Sequence, residues 1–267
     1  MTVQMEKITS RENRAVKEYK KLADSKSYRH QQQRFVIESV KLVTEAVASG
    51  VELEKVFVTQ LSLQKNYEAL QSLFEKKQIK FYEISREIEQ KLTQTANAQG
   101  IFAVCKKLDK QWDIGKIKED GKYIFLSRLQ DTGNVGTIIR TAEAMGLNGV
   151  IVSRDTCDIT SMKVLRASMG SAFRVNLFVC DHDAAALQEL GAAFATYAAV
   201  LDPQAESLTQ IAFPQNSILV IGNEGNGLAQ DVIDACQHKV MIPMKGNAES
   251  FNAGMAAGIF MWEMMKS

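Results

Sequence analysis

The stretch "LSRLQDTGNVGTIIRTAEAMG", residues 126–146, joins two kinds of pattern. Behind it runs an apolar strand-like segment, "YIFLSR", and ahead of it a helical one from Val135 to Met145. A strand running through a short turn into a helix is the start of a βα unit. Gly133 and Gly136 permit a tight turn that brings backbone close to a ligand, and Asn134 is placed to cap the helix. Arg140 then falls about one and a half turns in, at 3.6 residues per turn. An ordinary cap and a surface arginine would read the same way, so at this point both readings stand.

Working outward, the alternation repeats: strand "GVIVS", a helix around Thr160 to Ser168, strands near "FATYAAV" and "ILVIG", helix "LAQDVIDAC", strand "KVMIP" and a last helix from Ser250. Strands alternating with helices imply a parallel sheet covered on both faces, with ligands in the crevice at the carboxyl ends of the strands. Upstream, "FVIESVKLVTEAVASG" reads as a helix with Val40, Val43, Ala46 and Val47 on one face and Gly50 as its stop. Strands "LEKVFVT", "IKFYEI" and "GIFAVCKK", with helices at "YEALQSLFEKKQ" and from Ser85, complete a small α/β module. The polar stretch "LDKQWDIGKIKEDG" separates the two. The expected organisation is therefore residues 1–108, a linker at 109–121 and a second domain at 122–267.

Two further loops stand out. "ILVIGNEGNGLAQ" runs an apolar strand into Gly222, Asn223, Glu224, Gly225, Asn226 and Gly227. Its glycine order inverts the dinucleotide fingerprint, and Glu224 would repel a pyrophosphate, which weighs against a nicotinamide oxidoreductase. In "MIPMKGNAESFNAGMAAGIFMWEMM", Ser250 is placed to cap the last helix, with Asn252 on its first turn. The small residues from Ala253 to Gly258 then allow another backbone to approach closely.

Charge is unevenly divided. The 267 residues carry a net +1, but residues 1–110 hold a balance of +6 and the remainder −5. Within the first 34 residues, Lys17, Lys20, Lys21 and Arg29 belong to a dense set of cations suited to RNA phosphates, or to a solvated helix face. No run of about 18 apolar residues and no signal-like N-terminus occurs, so a cytoplasmic protein without a membrane span is expected. Four scattered cysteines read as buried small hydrophobes, not as a metal or disulfide set. P-loop, zinc-hydrolase and serine-elbow motifs are missing, and no histidine lies in the three loops.

Taken together, the loops resemble the SpoU/TrmH family of RNA ribose 2′-O-methyltransferases, in the SPOUT superfamily. The family pattern D-P-x-N-x-G-x-x-x-R-T-A falls on Asp131, Gly133, Asn134, Gly136, Arg140, Thr141 and Ala142. G-N-E-x-x-G falls on Gly222, Asn223, Glu224 and Gly227; I-P-M-x-G…E-S-L-N on Ile242, Pro243, Met244, Gly246, Glu249, Ser250 and Asn252. Thr132, Phe251 and Ala253-Gly254 stand where the family has Pro, Leu and Val-Ser. The resemblance implies a trefoil-knotted α/β methyltransferase domain, a homodimer and S-adenosylmethionine as cofactor. It implies Asn134, Arg140, Glu224, Ser250 and Asn252 as the polar site, and Gly222, Ile242, Met244 and Phe251 as the cofactor's holders, with no metal. The first module is similar, through "RFVIESVKLVTEA", to the ribosomal-protein-like substrate-binding domain of such enzymes. Ribosomal or transfer RNA is the implied partner. An RNA-binding or dimerising protein that has lost catalysis is the alternative.

Overall fold

The computed structural model describes residues 5–74, 76, 78–108, 110–111, 116–117 and 120–266. Two compact units emerge, one of residues 1–108 with Thr160–Arg166, the other of Asp109–Ile159 with Ala167–Ser267.

In the first unit the elements are β1 (Glu6–Ile8), α1 (Arg14–Asp24), α2 (Lys26–Gln32), β2 (Arg34–Glu38), α3 (Val40–Ala48), β3 (Leu53–Thr59), α4 (Gln60–Lys65), α5 (Tyr67–Phe74), β4 (Lys80–Ile84), α6 (Arg86–Leu92) and β5 (Ile101–Lys106). They form a mixed five-stranded sheet in the order β1-β4-β3-β5-β2. The stretch from Phe35 to Gly50, expected as one helix, divides: its start is strand β2 and its remainder α3. Ser39 sits between them at φ 106°, and its side chain then caps α3 through the Leu42 N–H. Helix α1 buries Ala15, Val16, Tyr19 and Leu22, one helical face, against the sheet. Tyr19 meets Phe57 and Phe102 edge-on at 5.8 and 5.7 Å, and its hydroxyl lies 3.9 Å from the Met162 sulfur. Each such apolar side chain stabilises the unit by about 1.5–3 kcal/mol.

The second unit contains β6 (Lys110–Gln111), β7 (Lys122–Leu126), α7 (Thr132–Met145), β8 (Gly149–Ser153), α8 (Met162–Ala167), whose residues through Arg166 group with the first unit, β9 (Leu177–Cys180), α9 (Asp183–Leu190), β10 (Ala195–Ala199), β11 (Glu206–Ser207), β12 (Ser217–Ile221), α10 (Gln230–Asp234), β13 (His238–Met241) and α11 (Ala253–Lys266). Its sheet runs β11-β13-β10-β12-β7-β8-β9-β6, and among the described residues every strand pair in it is parallel. β7, β8 and β12 are buried at every residue, as central strands covered on both faces must be. Inside the stretch read as a linker, Lys110–Gln111 pairs with β9 as the sheet's edge. Helix α11 lies along α7, and the buried Lys122 ammonium donates to the Met264 carbonyl at 2.5 Å. All four cysteines are free; Cys105 and Cys180 are buried, while Cys157 and Cys236 are only half-buried.

Candidate active site

Parallel strands deliver their carboxyl ends to one edge of the sheet, so the loops after β7, β12 and β13 meet there. The first enters α7 at Thr132, with Asp131 as the cap: its Oδ1 accepts the Asn134 N–H at 2.7 Å. Asn134 is thus the third residue of the helix and not its cap. Of two cap-type residues three apart, the carboxylate holds the position because it also answers the positive end of the helix.

Asn134 turns inward instead. Its Nδ2 donates to Glu224 Oε1 at 3.1 Å, and its Oδ1 accepts from Asn252 Nδ2 at 2.9 Å. Glu224 also accepts the N–H groups of Gln130 at 3.1 Å and Asp131 at 3.0 Å. Asn252 Oδ1 accepts from the N–H groups of Gly254 at 3.0 Å and Met255 at 3.2 Å, which makes Asn252 the cap of α11. Ser250, expected in that place, is exposed two residues upstream of it. One line of hydrogen bonds, Asn252 to Asn134 to Glu224, therefore clasps the three loops.

One glycine is essential to this arrangement. The turn after β12 closes by reciprocal backbone hydrogen bonds between Asn223 and Gly227, at 3.0 and 2.9 Å. A Cβ on Gly222 would lie 2.4 Å from the Gly227 carbonyl carbon, so no side chain fits. At Gly254, where α11 passes Asn134, a Cβ would lie 3.3 Å from Asn252 Oδ1 and 3.4 Å from Asn134 Oδ1, close enough that only a small side chain is accommodated. Burial acts to raise the Glu224 pKa, but the hydrogen bonds from Gln130, Asn134 and Asp131 prevail and lower it. Its carboxylate is ionised at neutral pH and acts only as an acceptor.

Arg140 does not join the clasp. It lies more than two turns into α7, deeper than expected, and six residues past Asn134, roughly 240° around the helix. It faces solvent, with no hydrogen bond or ion pair to any described residue.

The loops match a known family. Residues 121–262 match the SpoU rRNA methylase family, and residues 13–103 the MRM3-like substrate binding domain. This chain belongs to the SpoU rRNA methylase family. An uncharacterised tRNA/rRNA methyltransferase of Synechocystis is 33% identical to it, over 98% of this chain and 94% of its own. The 23S rRNA (guanosine(2553)-2′-O)-methyltransferase RlmP of Bacillus subtilis is 31% identical, over 97% of this chain and 99% of its own. An AdoMet-bound rRNA methyltransferase from Sinorhizobium meliloti has the same fold, with a TM-score of 0.83 at 26% identity over 97% of both chains. The SpoU-type α/β domain expected from the three loops, preceded by the substrate-binding domain expected from "RFVIESVKLVTEA", is the fold of this chain.

Several apolar residues lie open near the carboxyl ends of β10 and β13. Ile242 and Met244 are half-buried just past β13, and Phe251 is 42% exposed. Leu201, beyond the adjacent β10, is 64% exposed and was not among the residues singled out from sequence. Its signal there, an apolar residue two positions past a strand, is too common to notice. Large apolar side chains left open at the carboxyl ends of neighbouring strands fit a nucleoside face. Among the described residues no group of three His, Cys, Asp or Glu could hold a metal ion.

The expected RNA-binding cations divide. Lys17 pairs with Glu12 at 2.6 Å, Lys20 with Asp24 at 3.5 Å, and the Lys21 ammonium lies 4.3 Å from the centre of the Tyr28 ring. These heads stay at the surface, where such pairs are weak. Arg29 is corrected: it is 6% exposed, and its Nη1 donates to the carbonyls of Leu22 at 2.6 Å and Ala23 at 3.0 Å. Its guanidinium closes the end of α1 and is not offered to a phosphate.

Proposed function

We infer that this protein transfers a methyl group from S-adenosylmethionine to a ribose 2′-hydroxyl of RNA. The observation that carries the reading is the Asn252–Asn134–Glu224 clasp, built from all three family motifs at the carboxyl edge of the sheet. When bound, S-adenosylmethionine would supply an electrophilic methyl group from its sulfonium. Gly222, Leu201, Ile242, Met244 and Phe251 would hold it through backbone groups and apolar walls.

The clasp residues position the ribose. Glu224, held ionised and already accepting three hydrogen bonds, is a weak base. The 2′-hydroxyl proton leaves to water by way of Ser250, which lies in an exposed loop and has no hydrogen-bond partner among the described residues. Arg140 stays cationic, as guanidinium groups in proteins do, binds the phosphate beside the target ribose and favours the developing alkoxide.

A homodimer completes the site. Met255, Trp262 and Met265 form an exposed apolar stripe on α11, the helix that packs on α7, with Trp262 59% exposed. A second copy covering this face would meet the outward side of α7 that carries Arg140. The reading includes a trefoil knot formed by β13 and α11, an RNA-capturing module at residues 1–108 with Lys17, Lys20 and Lys21, a connector at 109–121, a methyltransferase domain at 122–267 and a cytoplasmic site of action. Either ribosomal or transfer RNA is the substrate. No described helix is long and apolar enough to cross a membrane.

The test is methyl transfer from tritiated S-adenosylmethionine to total RNA from cells lacking the protein. Label in alkali-resistant dinucleotides, the mark of a blocked 2′-hydroxyl, is expected. Label released in bases, or no transfer to any RNA, overturns the reading.

A further inference from the structure

Arg128, between β7 and α7, has φ 59°, in the left-handed region that side chains rarely adopt. Its peptide is pinned from three directions. Its N–H donates to Ser153 Oγ at 2.9 Å, and its carbonyl accepts from Gln130 Nε2 at 3.0 Å and Asn223 Nδ2 at 2.9 Å. Gln130 Nε2 also donates to the Asp155 carbonyl at 2.7 Å, tying the loops after β7 and β8 together. Glycine would sit there without strain, so the backbone arrangement gives no reason for an arginine.

The side chain gives one. Arg128 lines a cavity of about 310 Å³ with Gln130, Asp155, Asn223, Asn226 and Ala229. Among the described residues the side chains of Arg128, Asp155 and Asn226 make no hydrogen bond or ion pair, although the Arg128 charge acts on the buried Asp183 carboxylate, whose pKa burial raises and this charge acts to lower. That volume is at the lower end of small-molecule sites and suits a single nucleotide. One wall is shared with the clasp: Gln130 donates its N–H to Glu224, and Asn223 precedes Glu224 in the chain. None of the residues assigned to the cofactor lines it.

We propose that this cavity is a nucleotide subsite, occupied by an RNA nucleotide next to the one methylated. The proposal rests on the methyltransferase reading. The Arg128 fork binds that nucleotide's phosphate. Asp155 offers two acceptors and Asn226 an amide donor, which complement the N1–H, N2–H and O6 edge of guanine and present fewer partners to uracil. Arg128 is thereby a substrate-positioning and specificity residue, and its left-handed backbone aims the guanidinium into the cavity.

Arg128→Gly separates this from a structural role, because it relieves the backbone while removing the fork. Arg128→Asn, which also tolerates the left-handed region, is the second variant. Equilibrium dialysis at low salt compares guanosine 5′-monophosphate with uridine 5′-monophosphate, and steady-state methylation gives KM for RNA and for S-adenosylmethionine. Expected are a Tm for Arg128→Gly at or above the parent's, guanylate binding weakened at least tenfold in both variants, and a KM for RNA raised about tenfold with that for S-adenosylmethionine unchanged. Asp155→Asn should erase the preference for guanylate over uridylate. Equal guanylate binding by parent and both variants, or none by the parent, overturns the subsite. If the parent methylates no RNA yet loses guanylate binding on Arg128→Gly, the subsite stands and the methyltransferase reading falls.

Discussion

Asn134 and Arg140 share helix α7, yet their polar groups have opposite circumstances. Asn134 is buried, with donor and acceptor both engaged across two other loops. Arg140, on another side of the same helix, has no hydrogen bond or ion pair to any described residue, and the guanidinium of Arg128, at the rim of the proposed nucleotide subsite, is alike in this. A group whose hydrogen bonds are complete fixes the relation between loops, whereas an open cation at a rim awaits a ligand's charge. The division predicts two kinds of damage: removal from the inner set should disturb stability and activity together, and removal from the outer set activity alone.

The largest effect is expected at Glu224. Glu224→Ala leaves two backbone N–H groups and the Asn134 amide without their acceptor, in a site partly open to water. A loss of about 1.5–3 kcal/mol follows, the scale of hydrogen bonds to a charged group, because water reaches the freed N–H groups. Methyl transfer should fall at least about 100-fold, the scale for losing one preorganised polar group. An unchanged Tm by calorimetry would break the comparison, since the clasp would then hold nothing. Acid sharpens it: the Glu224 pKa is lowered on folding, so its stabilisation is full above the ordinary carboxylate range and is lost as pH falls through the lowered value. Glu224→Gln should abolish that part of the acid dependence.

Arg140→Ala should cost a similar factor of about 100 in kcat/KM, with a change in stability within about 0.5 kcal/mol, as for surface positions. Arg140→Lys recovers little if the phosphate is held by the two-pronged guanidinium. Near-normal activity in the lysine variant would show that a point charge is enough.

The smallest contrast lies in the first unit. Arg29→Ala should destabilise by about 1.5–3 kcal/mol, the scale of charge-assisted hydrogen bonds, because its guanidinium holds the Leu22 and Ala23 carbonyls. Neutralising Lys17, Lys20 and Lys21 together should leave Tm alone and lower the slope of log affinity against log salt by roughly 0.7–0.9 per lost phosphate contact. An unchanged slope places RNA capture elsewhere.

Much of this was legible in the sequence for definite reasons. Strands β7, β8 and β12 are continuous apolar runs, and the glycines beside Asn134 and Glu224 mark turns entering helices. The same stretches led to particular errors. Asp131 and Asn134 both cap well; the carboxylate's charge favours Asp131 at the helix's positive end, and the Asn134 amide is taken up by Glu224 and Asn252, partners that spacing along the chain does not reveal. Arg29 sits among polar neighbours in a seven-residue helix too short to show a buried face. Ser39, which divides strand β2 from helix α3, is a helix-cap residue type, but the apolar residues on both sides of it fit a continuous helical face equally well. The Arg128 cavity joins residues from three separate loops, a relation that spacing along the chain does not record.

The hydrogen bond from Lys122 to Met264 has a consequence for the order of folding. Lys122 opens the central strand β7, and Met264 lies near the far end of α11, 142 positions along the chain. A buried ammonium needs its acceptor before the strand can settle, so β7 is not complete until α11 has docked across that separation. Contacts of such high sequence separation slow folding, because the intervening loop must close before they stabilise anything.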